Sequence, residues 1–515
     1  MNRKKKIAKD EQSVSRRDFL KWTGAVTAGV AAGGLLADPF MKAGMAQAPT
    51  GTLNIVTSAD ADTFDPHAWI SSDAYWMGYQ IFEGLVTLDY EPMLATSWEN
   101  PDKQTWLFHL KKNVEFSNGE PFDASVVKYN LERILDPQTK SVYRGLLSPI
   151  SAVEVVDKNM VRVRTKEPFA VFLPVLSLLP LVSPKAVKEL GKDFGRKPIG
   201  TGPFIFKEWI PLERVVLEAN TAYHGPKPKV KTIIWRPIME ASTRIVELRS
   251  GNAHLINKVP PELAGEISGE GLKVLRRRSL WRMGVKLNLA KPPFDKIKPR
   301  LAFNYATDKE ALISSVLRGA GYTVSDHLGP DREGYNPNLK PYPYDPAMSR
   351  KLLAEAGYPN GVDIEILTPI GRYLKDKEIC EAVAYQVKEG GFNMKVVAVE
   401  FGMYLKTYRD YNGFFLGADS PTHRALFNDG YGPGKSYSWM GYENAEWNKL
   451  FEEVGTTFDV QKRKTMYQKL DEIFWKEPPY LYLYFAQDIY GVSDRLKNFT
   501  PRADGYIVLH NVSIT

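Results

Sequence analysis

A strand, a turn and a helix follow one another within residues 94–134, and this stretch constrains the fold more than any other part of the chain. In residues 105–111 apolar side chains alternate with polar ones, a period of two that predicts a strand with one buried face. After the turn at Asn118-Gly119, Asp123 is placed to cap a helix that Asp136-Pro137 ends. The side chains that share one face of this helix are Val126, Val127, Asn130, Leu131 and Ile134.

The composition predicts a globular protein of two or three domains, because 515 residues with 43% hydrophobic content can bury large cores. The formal net charge of +8 would suit a nucleic-acid partner. However, residues 1–46 carry nine Lys and Arg against four Asp and Glu, which accounts for +5 of that charge. The charge that is left is too small for a phosphate-binding surface. We therefore expect no nucleic-acid partner.

The usual signatures of enzymes are missing from the sequence. No two of the seven histidines have the H-E-x-x-H spacing, and the single cysteine, Cys380, cannot form a ligand set or an internal disulfide. Cys380 lies in a segment with a helical pattern, which predicts a buried structural thiol. No Gly-x-Ser-x-Gly motif occurs, and Gly434-Lys435-Ser436 lacks the first glycine of a phosphate-binding loop, since that position is Asp429. We expect no catalytic activity, no resident metal and no cofactor.

The first 46 residues are typical of an export signal. Residues 15–21, Ser-Arg-Arg-Asp-Phe-Leu-Lys, match the twin-arginine pattern, in which the translocase reads the pair Arg16 and Arg17. The sixteen uncharged residues that follow are fewer than the roughly 20 that a membrane-spanning helix needs. Small residues at Gly44-Met45-Ala46 predict cleavage before Gln47. Because no lipobox cysteine is present, we expect a periplasmic protein without a lipid anchor.

The stretch at residues 94–134 also resembles the signature region of the family 5 extracytoplasmic solute-binding proteins. These are the dipeptide, oligopeptide and nickel-complex receptors of ABC importers. The resemblance is carried by Leu94-Ala95, Ser97-Trp98, Phe108, Leu110-Lys111, Val114, Phe116, Asn118-Gly119, Pro121-Phe122, Ala124 and Val127. Further matches are Asp65-Pro66-His67, Glu83-Gly84-Leu85, Gly200-Thr201-Gly202-Pro203, Pro292-Pro293-Phe294-Asp295 and Tyr344-Asp345-Pro346. The resemblance spans residues 52–512.

This resemblance implies an α/β, two-lobe periplasmic-binding-protein fold (Venus flytrap) with an extra subdomain in lobe one. Lobe one would comprise residues 49–284 and 487–515, with the subdomain at about residues 89–198, and lobe two residues 285–486. Such receptors close around a ligand, and closure is driven by the difference in ligand affinity between the closed and open states. The resemblance further implies a monomer that delivers its solute to the permease and ATPase subunits of an ABC importer.

Arg372 and Tyr373 are the leading candidates for ligand contact. They follow a predicted strand at residues 364–368, and open α/β sheets place ligands at the carboxyl ends of their strands. A guanidinium can hold a carboxylate through two hydrogen bonds, while a neighbouring ring covers the apolar part of a solute. Dipeptide receptors that this chain resembles use an arginine at this point for the terminal carboxylate. The alternative is a structural loop that is held by an ion pair near Asp376.

Four further residues are candidates for the site. The segment at residues 413–421 is similar to one in which peptide receptors offer an aspartate to an α-amino group, which suggests Asp419. It lacks the tryptophan of that pattern, so a turn-forming role is the alternative. Trp69, Ser71 and Trp439 are candidates for the facing walls, with a place in the core or on the surface as the alternative. We expect a short peptide or a related amino-acid-derived solute; the alternatives are a nickel chelate, an opine, an oligosaccharide, or a secreted hydrolase on this fold.

Overall fold

The computed structural model describes residues 48–69, 71–325, 327–418 and 441–515, in which strands and helices alternate along the chain. The strands are β1 (Thr50–Thr57), β2 (Ala95–Asp102), β3 (Thr105–Leu110), β4 (Ile150–Asp157), β5 (Met160–Thr165), β6 (Phe204–Ile210), β7 (Arg214–Ala219), β8 (Val230–Pro237), β9 (Leu255–Ile256), β10 (Leu272–Leu287), β11 (Gly321–Thr323), β12 (Val362–Pro369), β13 (Phe392–Val399), β14 (Gly413–Ala418), β15 (Tyr480–Ser493), β16 (Leu496–Lys497) and β17 (Ser513–Ile514).

The helices of the described residues lie between these strands. They are α1 (Ser72–Ile81), α2 (Ala124–Leu135), α3 (Phe172–Leu176), α4 (Pro184–Leu190), α5 (Ala241–Arg249), α6 (Ile297–Tyr305), α7 (Lys309–Ser315), α8 (Pro346–Glu355), α9 (Asp376–Val387), α10 (Phe401–Thr407), α11 (Ala445–Thr456) and α12 (Val460–Lys476). Short 3-10 turns occur at Pro137–Thr139, Gly191–Arg196, Ala264–Glu266 and Tyr408–Asp410.

Eleven strands form one mixed sheet in the order β13-β12-β14-β10-β15-β9-β1-β8-β7-β6, with β11 paired to β15. The parallel pair β12 and β13 lies on one side of the long strands β10 and β15, and the parallel pair β1 and β8 lies on the other. A separate four-stranded antiparallel sheet has the order β2-β3-β5-β4. The long antiparallel pair β10 and β15 therefore joins two α/β halves.

Buried apolar side chains form two large clusters, as the two-lobe α/β fold requires. One cluster draws on residues between 53 and 255 and between 490 and 512, and it includes the four-stranded sheet. The other draws on residues between 283 and 485. A smaller cluster lies around α5 and β9. The fold is thus the predicted two-lobe architecture, with the four-stranded sheet as the additional unit.

The helix that the sequence predicted after Asp123 is present as α2. The carboxylate of Asp123 accepts a hydrogen bond from the N–H of Ser125, and the helix ends at Leu135, one residue before Asp136. All the side chains of the predicted stripe are buried, and Ala124 joins them. In β3 the predicted alternation holds for the apolar side chains, but Thr105 is also buried, because its hydroxyl donates to the carboxylate of Asp102.

Cys380 is a free, buried thiol on α9, as predicted. Burial raises its pKa to about 12, with a smaller opposing contribution from a hydrogen bond to Thr368. At neutral pH the thiol is therefore protonated, and it packs in the second cluster as a small apolar side chain.

The Gly-Thr-Gly-Pro turn at residues 200–203 approaches the end of α1 closely. The N–H of Gly202 donates to the carbonyl oxygen of Ile81 at 2.8 Å. A Cβ atom on Gly200 would lie 2.1 Å from that oxygen, and one on Gly202 would lie 2.6 Å from it. Backbone atoms cannot move aside as the end of a flexible side chain can, so only glycine fits at either position.

We expect Gly200→Ala to lower the free energy of unfolding by about 3 kcal/mol, the upper part of the range for overpacking, because the added methyl group meets backbone. Urea denaturation followed by tryptophan fluorescence measures this. Gly145→Ala is the matched control, since a Cβ there has no heavy atom within 4 Å. Equal midpoints for the two variants would show that the close approach does not restrict residue 200.

Candidate ligand-binding site

The loop between β12 and α9 is held by one buried carboxylate. Asp376 is 3% exposed, and its oxygens accept hydrogen bonds of 2.9 to 3.1 Å from four backbone N–H groups, those of Gly371, Arg372, Tyr373 and Lys377. A carboxylate that accepts several N–H bonds fixes the conformation of the backbone that supplies them. The loop is therefore rigid at its base while its side chains are available for other contacts.

Arg372 projects from this loop as an exposed side chain. The carbon at the centre of its guanidinium lies 5.1 Å from the ring centre of Phe401 and 5.7 Å from that of Tyr373. Within the described residues, no carboxylate forms an ion pair with it. Asp376, the partner expected for an ion-paired cap, instead binds the backbone of the loop. The guanidinium is thus positioned by aromatic faces, with its N–H donors available.

Tyr373 lies in an aromatic corner that the sequence did not predict. Its half-buried ring is 6.1 Å from that of Trp281 and 5.8 Å from that of Phe415, the latter edge to face. Trp281 belongs to β10, where the pairing with β15 shifts register between Arg278 and Arg282. No described residue accepts a hydrogen bond from the Trp281 indole N–H. The corner presents ring surface and one indole donor beside the guanidinium.

Gly417 makes room for Trp281. A Cβ atom on Gly417 would lie 2.6 Å from Cε3 of the Trp281 ring. Gly417 is opposite Met283 in the pairing of β14 with β10. The glycine therefore lets the indole lie flat over the end of β14. In the sequence, the only sign of this arrangement is a glycine within an aromatic strand.

The two candidates near α1 have other contacts. Trp69 is 0% exposed, and its indole N–H donates to the hydroxyl of Tyr143 at 2.8 Å. Its ring occupies the space beside Gly78, where a Cβ would lie 2.0 Å away. The hydroxyl of Ser71 accepts from the N–H of Ala74 and caps α1. In this conformation Trp69 is a core residue and Ser71 is a half-buried helix cap, and a role of either in ligand binding stays a prediction.

Several other predicted residues lie outside the described part of the chain. These are Asp419, Trp439, Arg16 and Arg17. Of the predicted residues, Arg372 and Tyr373 lie together in the candidate site. To these the structure adds Trp281, Phe401 and Phe415, which the sequence did not identify because their proximity depends on strand register.

Contacts outside the long strands also join the two α/β halves. Lys375, in the same loop as Arg372, forms an ion pair with Glu262 at 3.1 Å. The N–H of Ala170 donates to the carbonyl oxygen of Gly455, and the ring of Phe458 lies 5.9 Å from that of Trp106. In each contact, one residue precedes β10 in the chain and the other follows it.

The described ranges contain neither a cluster of metal-ligating side chains nor a helix that could span a membrane. No group of three or more His, Cys, Asp or Glu side chains there is arranged to hold a metal ion. Among the helices of those ranges, none has the length and apolar character needed to cross a membrane.

Comparison with known proteins identifies the family. The model of "Bacterial extracellular solute-binding proteins, family 5 Middle" matches residues 89–442, and a twin-arginine signal model matches residues 13–33. The glutathione-binding protein GsiB of Shigella dysenteriae is 27% identical over 491 residues, which cover 90% of this chain and 95% of GsiB.

Solved structures agree with this assignment. The periplasmic binding protein DppA of Helicobacter pylori, in complex with the peptide STSA, has a TM-score of 0.77 at 26% identity and covers 90% of this chain and 98% of its own. NikA of Brucella suis, in complex with Fe(III)-EDTA, has a TM-score of 0.82 at 25% identity, with coverages of 90% and 100%. The chain belongs to the family 5 bacterial extracellular solute-binding proteins and is a periplasmic substrate-binding component of an ABC transporter with a twin-arginine export signal.

Proposed function

We propose that this protein captures a short peptide, or a related amino-acid-derived solute, by binding its free carboxylate at Arg372. The observation that carries the proposal is the guanidinium itself. It is exposed, lies against two aromatic rings and has no acidic partner among the described residues. An arginine whose charge no described carboxylate compensates, on a loop with a fixed backbone, is suited to a carboxylate that arrives from solution.

The aromatic corner would contact the part of such a solute that lies away from its carboxylate. An extended peptide spans about 3.5 Å per residue. A side chain one or two residues from the carboxylate would therefore reach the rings of Trp281 and Phe415, which lie 6.1 and 5.8 Å from that of Tyr373. Trp281, Tyr373 and Phe415 would cover its apolar part. Glutathione and the peptide STSA, named for the relatives GsiB and DppA, both carry free carboxylates. We propose Asp419 as the partner of the α-amino group and Trp439 as a further wall.

We further propose that the lobes divide as the resemblance implied, with residues 49–284 and 487–515 in lobe one and residues 285–486 in lobe two. Two observations support this division: the apolar cores draw on nearly the same ranges, and β10 and β15 are the two strands that pass between them. The pair Glu262 and Lys375 would then join the two lobes and form only when they close.

The proposed partners follow from this mechanism. Permease and ATPase subunits of an ABC importer would receive the solute from the closed monomer, and the twin-arginine translocase would export the folded precursor. No catalytic step is involved. The Fe(III)-EDTA in the relative NikA is also a carboxylate-bearing compound, so a metal chelate is the second candidate. Native mass spectrometry of the periplasmic protein identifies the solute that co-purifies, and unchanged solute after prolonged incubation excludes a hydrolase.

We expect Arg372→Ala to cost about 2 to 5 kcal/mol of affinity for the co-purifying solute, as when one partner of a buried charged hydrogen-bonded pair is lost. Isothermal titration calorimetry measures this, and the melting temperature of the unliganded protein should stay the same. Lys406→Ala removes a charge from an exposed residue of α10 and serves as the control. Intact affinity together with a lower melting temperature would assign Arg372 to the scaffold.

We expect Asp376→Asn to weaken both the loop and the binding. An amide has one acceptor oxygen, so some of the four N–H groups lose their partner, at about 1 to 3 kcal/mol for a buried group. Urea unfolding and calorimetry would show lower stability and lower affinity together. Glu378→Gln is the control, since Glu378 is an exposed acid in the first turn of the same helix. If the two variants behave alike, Asp376 does not position the loop.

We expect the solute to reduce the radius of gyration in small-angle scattering, because the lobes close around it. Glu262→Gln should raise Kd by at most about fivefold, since a partly exposed ion pair contributes up to about 1 kcal/mol. The double variant Glu262→Lys with Lys375→Glu should recover the affinity. Identical scattering curves with and without saturating solute would argue against closure, and an unrecovered double variant would argue against the ion pair.

A further inference from the structure

A cavity lies in the four-stranded unit, and none of its lining residues belongs to the proposed ligand site. It has a volume of about 530 Å³ and opens where α2 ends and the Pro137–Thr139 turn begins. Leu135 and Ile150 provide apolar surface in its walls. Volumes of this size accommodate small molecules rather than single waters.

Three cations line this cavity, namely Lys140, Arg144 and Lys166, and no acidic side chain does. In the part of the chain that the structure describes, none of the three forms an ion pair. Asp136, four residues before Lys140, uses its carboxylate to accept the N–H of Gln138 and cap the Pro137–Thr139 turn. Glu167, which follows Lys166, is exposed and does not line the cavity. The cavity thus collects three positive charges without a compensating negative one.

Backbone carbonyls hold two of these cations in place. The Nε–H of Arg144 donates to the carbonyl oxygen of Leu135 at 3.0 Å, and the ammonium of Lys166 donates to that of Ser148 at 2.9 Å. These neutral acceptors orient the side chains but leave their charges and their other donors unmatched. Like charges that converge on one concavity repel, and they also focus a positive potential that an anion would neutralise.

Two hydroxyls complete the polar lining. The hydroxyl of Ser141, a buried residue, accepts from the N–H of Tyr143, so its own hydrogen is available. The hydroxyl of Ser148 donates to the carbonyl oxygen of Gly145 and keeps acceptor capacity. Charged nitrogens together with a hydroxyl donor form a set that oxyanions with several oxygens can use, because each oxygen accepts more than one hydrogen bond.

We propose that this cavity is a binding site for a phosphate-bearing anion, separate from the Arg372 site. The phosphate lies among Lys140, Arg144 and Lys166, and the carbon portion of the ligand lies against Leu135 and Ile150. The phosphate is carried by a soluble small molecule or by a lipid headgroup. Because the site lies outside the proposed solute site, its function does not depend on the identity of the transported solute.

Calorimetric titration of the mature protein with inorganic pyrophosphate at low salt tests the proposal. We expect saturable binding that weakens at least about tenfold in the triple variant Lys140→Gln, Arg144→Gln, Lys166→Gln, since the loss of even one charged hydrogen bond costs about that factor. The control triple variant is Lys188→Gln, Lys192→Gln, Lys197→Gln, which removes the same charge from exposed residues of α4 and the following turn. It should change Kd by less than about twofold.

The absence of saturable pyrophosphate binding to the unaltered protein, or an equal loss in both triple variants, overturns the proposal. An equal loss means that net charge, not the cavity, attracts the anion. If the cavity variant melts at a lower temperature than the control, the single change Lys140→Gln is used instead, because Lys140 is exposed and its side chain forms no hydrogen bond or ion pair with another described residue. The same tenfold loss of pyrophosphate affinity is expected, and an unchanged Kd overturns the proposal.

Vesicle flotation then distinguishes the two sources of phosphate. Co-flotation with phosphatidylglycerol vesicles but not with phosphatidylcholine vesicles, lost in the cavity variant and kept in the control, supports a lipid headgroup. Pyrophosphate binding that is sensitive to the cavity variant, without flotation, supports a soluble ligand. Flotation that both triple variants lose equally, without a cavity-specific effect on pyrophosphate, overturns the proposal in either form.

Discussion

The antiparallel pairing of β10 with β15 is the constraint on which the rest of the structure depends. It continues from Leu272 opposite Ser493 to Lys286 opposite Tyr480, so both α/β halves share one backbone ladder. The ladder is interrupted between Arg278 and Arg282. Hydrogen-bonded strands resist bending, so a movement of one half against the other is most easily absorbed where the pairing shifts. Trp281 lies within that interruption and contacts Tyr373, which places the aromatic corner at the point about which closure would occur.

The loop at residues 370–376 carries both Arg372, the proposed ligand contact, and Lys375, the partner of Glu262. Its backbone is tied to Asp376, so the positions of Arg372 and Lys375 are not independent. A solute carboxylate held by Arg372 would therefore bind to the same rigid loop that carries Lys375, the partner of Glu262. Because a ligand shifts an equilibrium only by its differential affinity for the two states, contacts that exist in the closed state alone determine how strongly the solute favours closure.

The sequence predicts structure well where the signal is local. The buried face of α2, its cap at Asp123 and the buried thiol of Cys380 depend on spacings within one helix, and all three are confirmed. Family resemblance gave the two-lobe fold. The aromatic corner was not predicted, because Trp281 and Phe415 meet Tyr373 through strand register, which sequence spacing does not encode. The burial of Trp69 likewise depends on Gly78, a residue of the following helix, whose missing side chain leaves room for the ring.

The described cations differ in how their charge is compensated. Arg133 is paired with Asp65, while Arg282, 2% exposed, donates to the carbonyl oxygen of His327 and lies 4.7 Å from the ring centre of Tyr480. Burial lowers the pKa of Lys309 to about 7, because the charged form is poorly solvated there. Lys309 is therefore part of the protein core. Arg372 differs, because it stays exposed and pairs with aromatic faces instead of a carboxylate. Arg372 stays hydrated in this structure, so its desolvation would take place only when a solute binds and the lobes exclude water. The exclusion of water would then strengthen its attraction to the solute carboxylate.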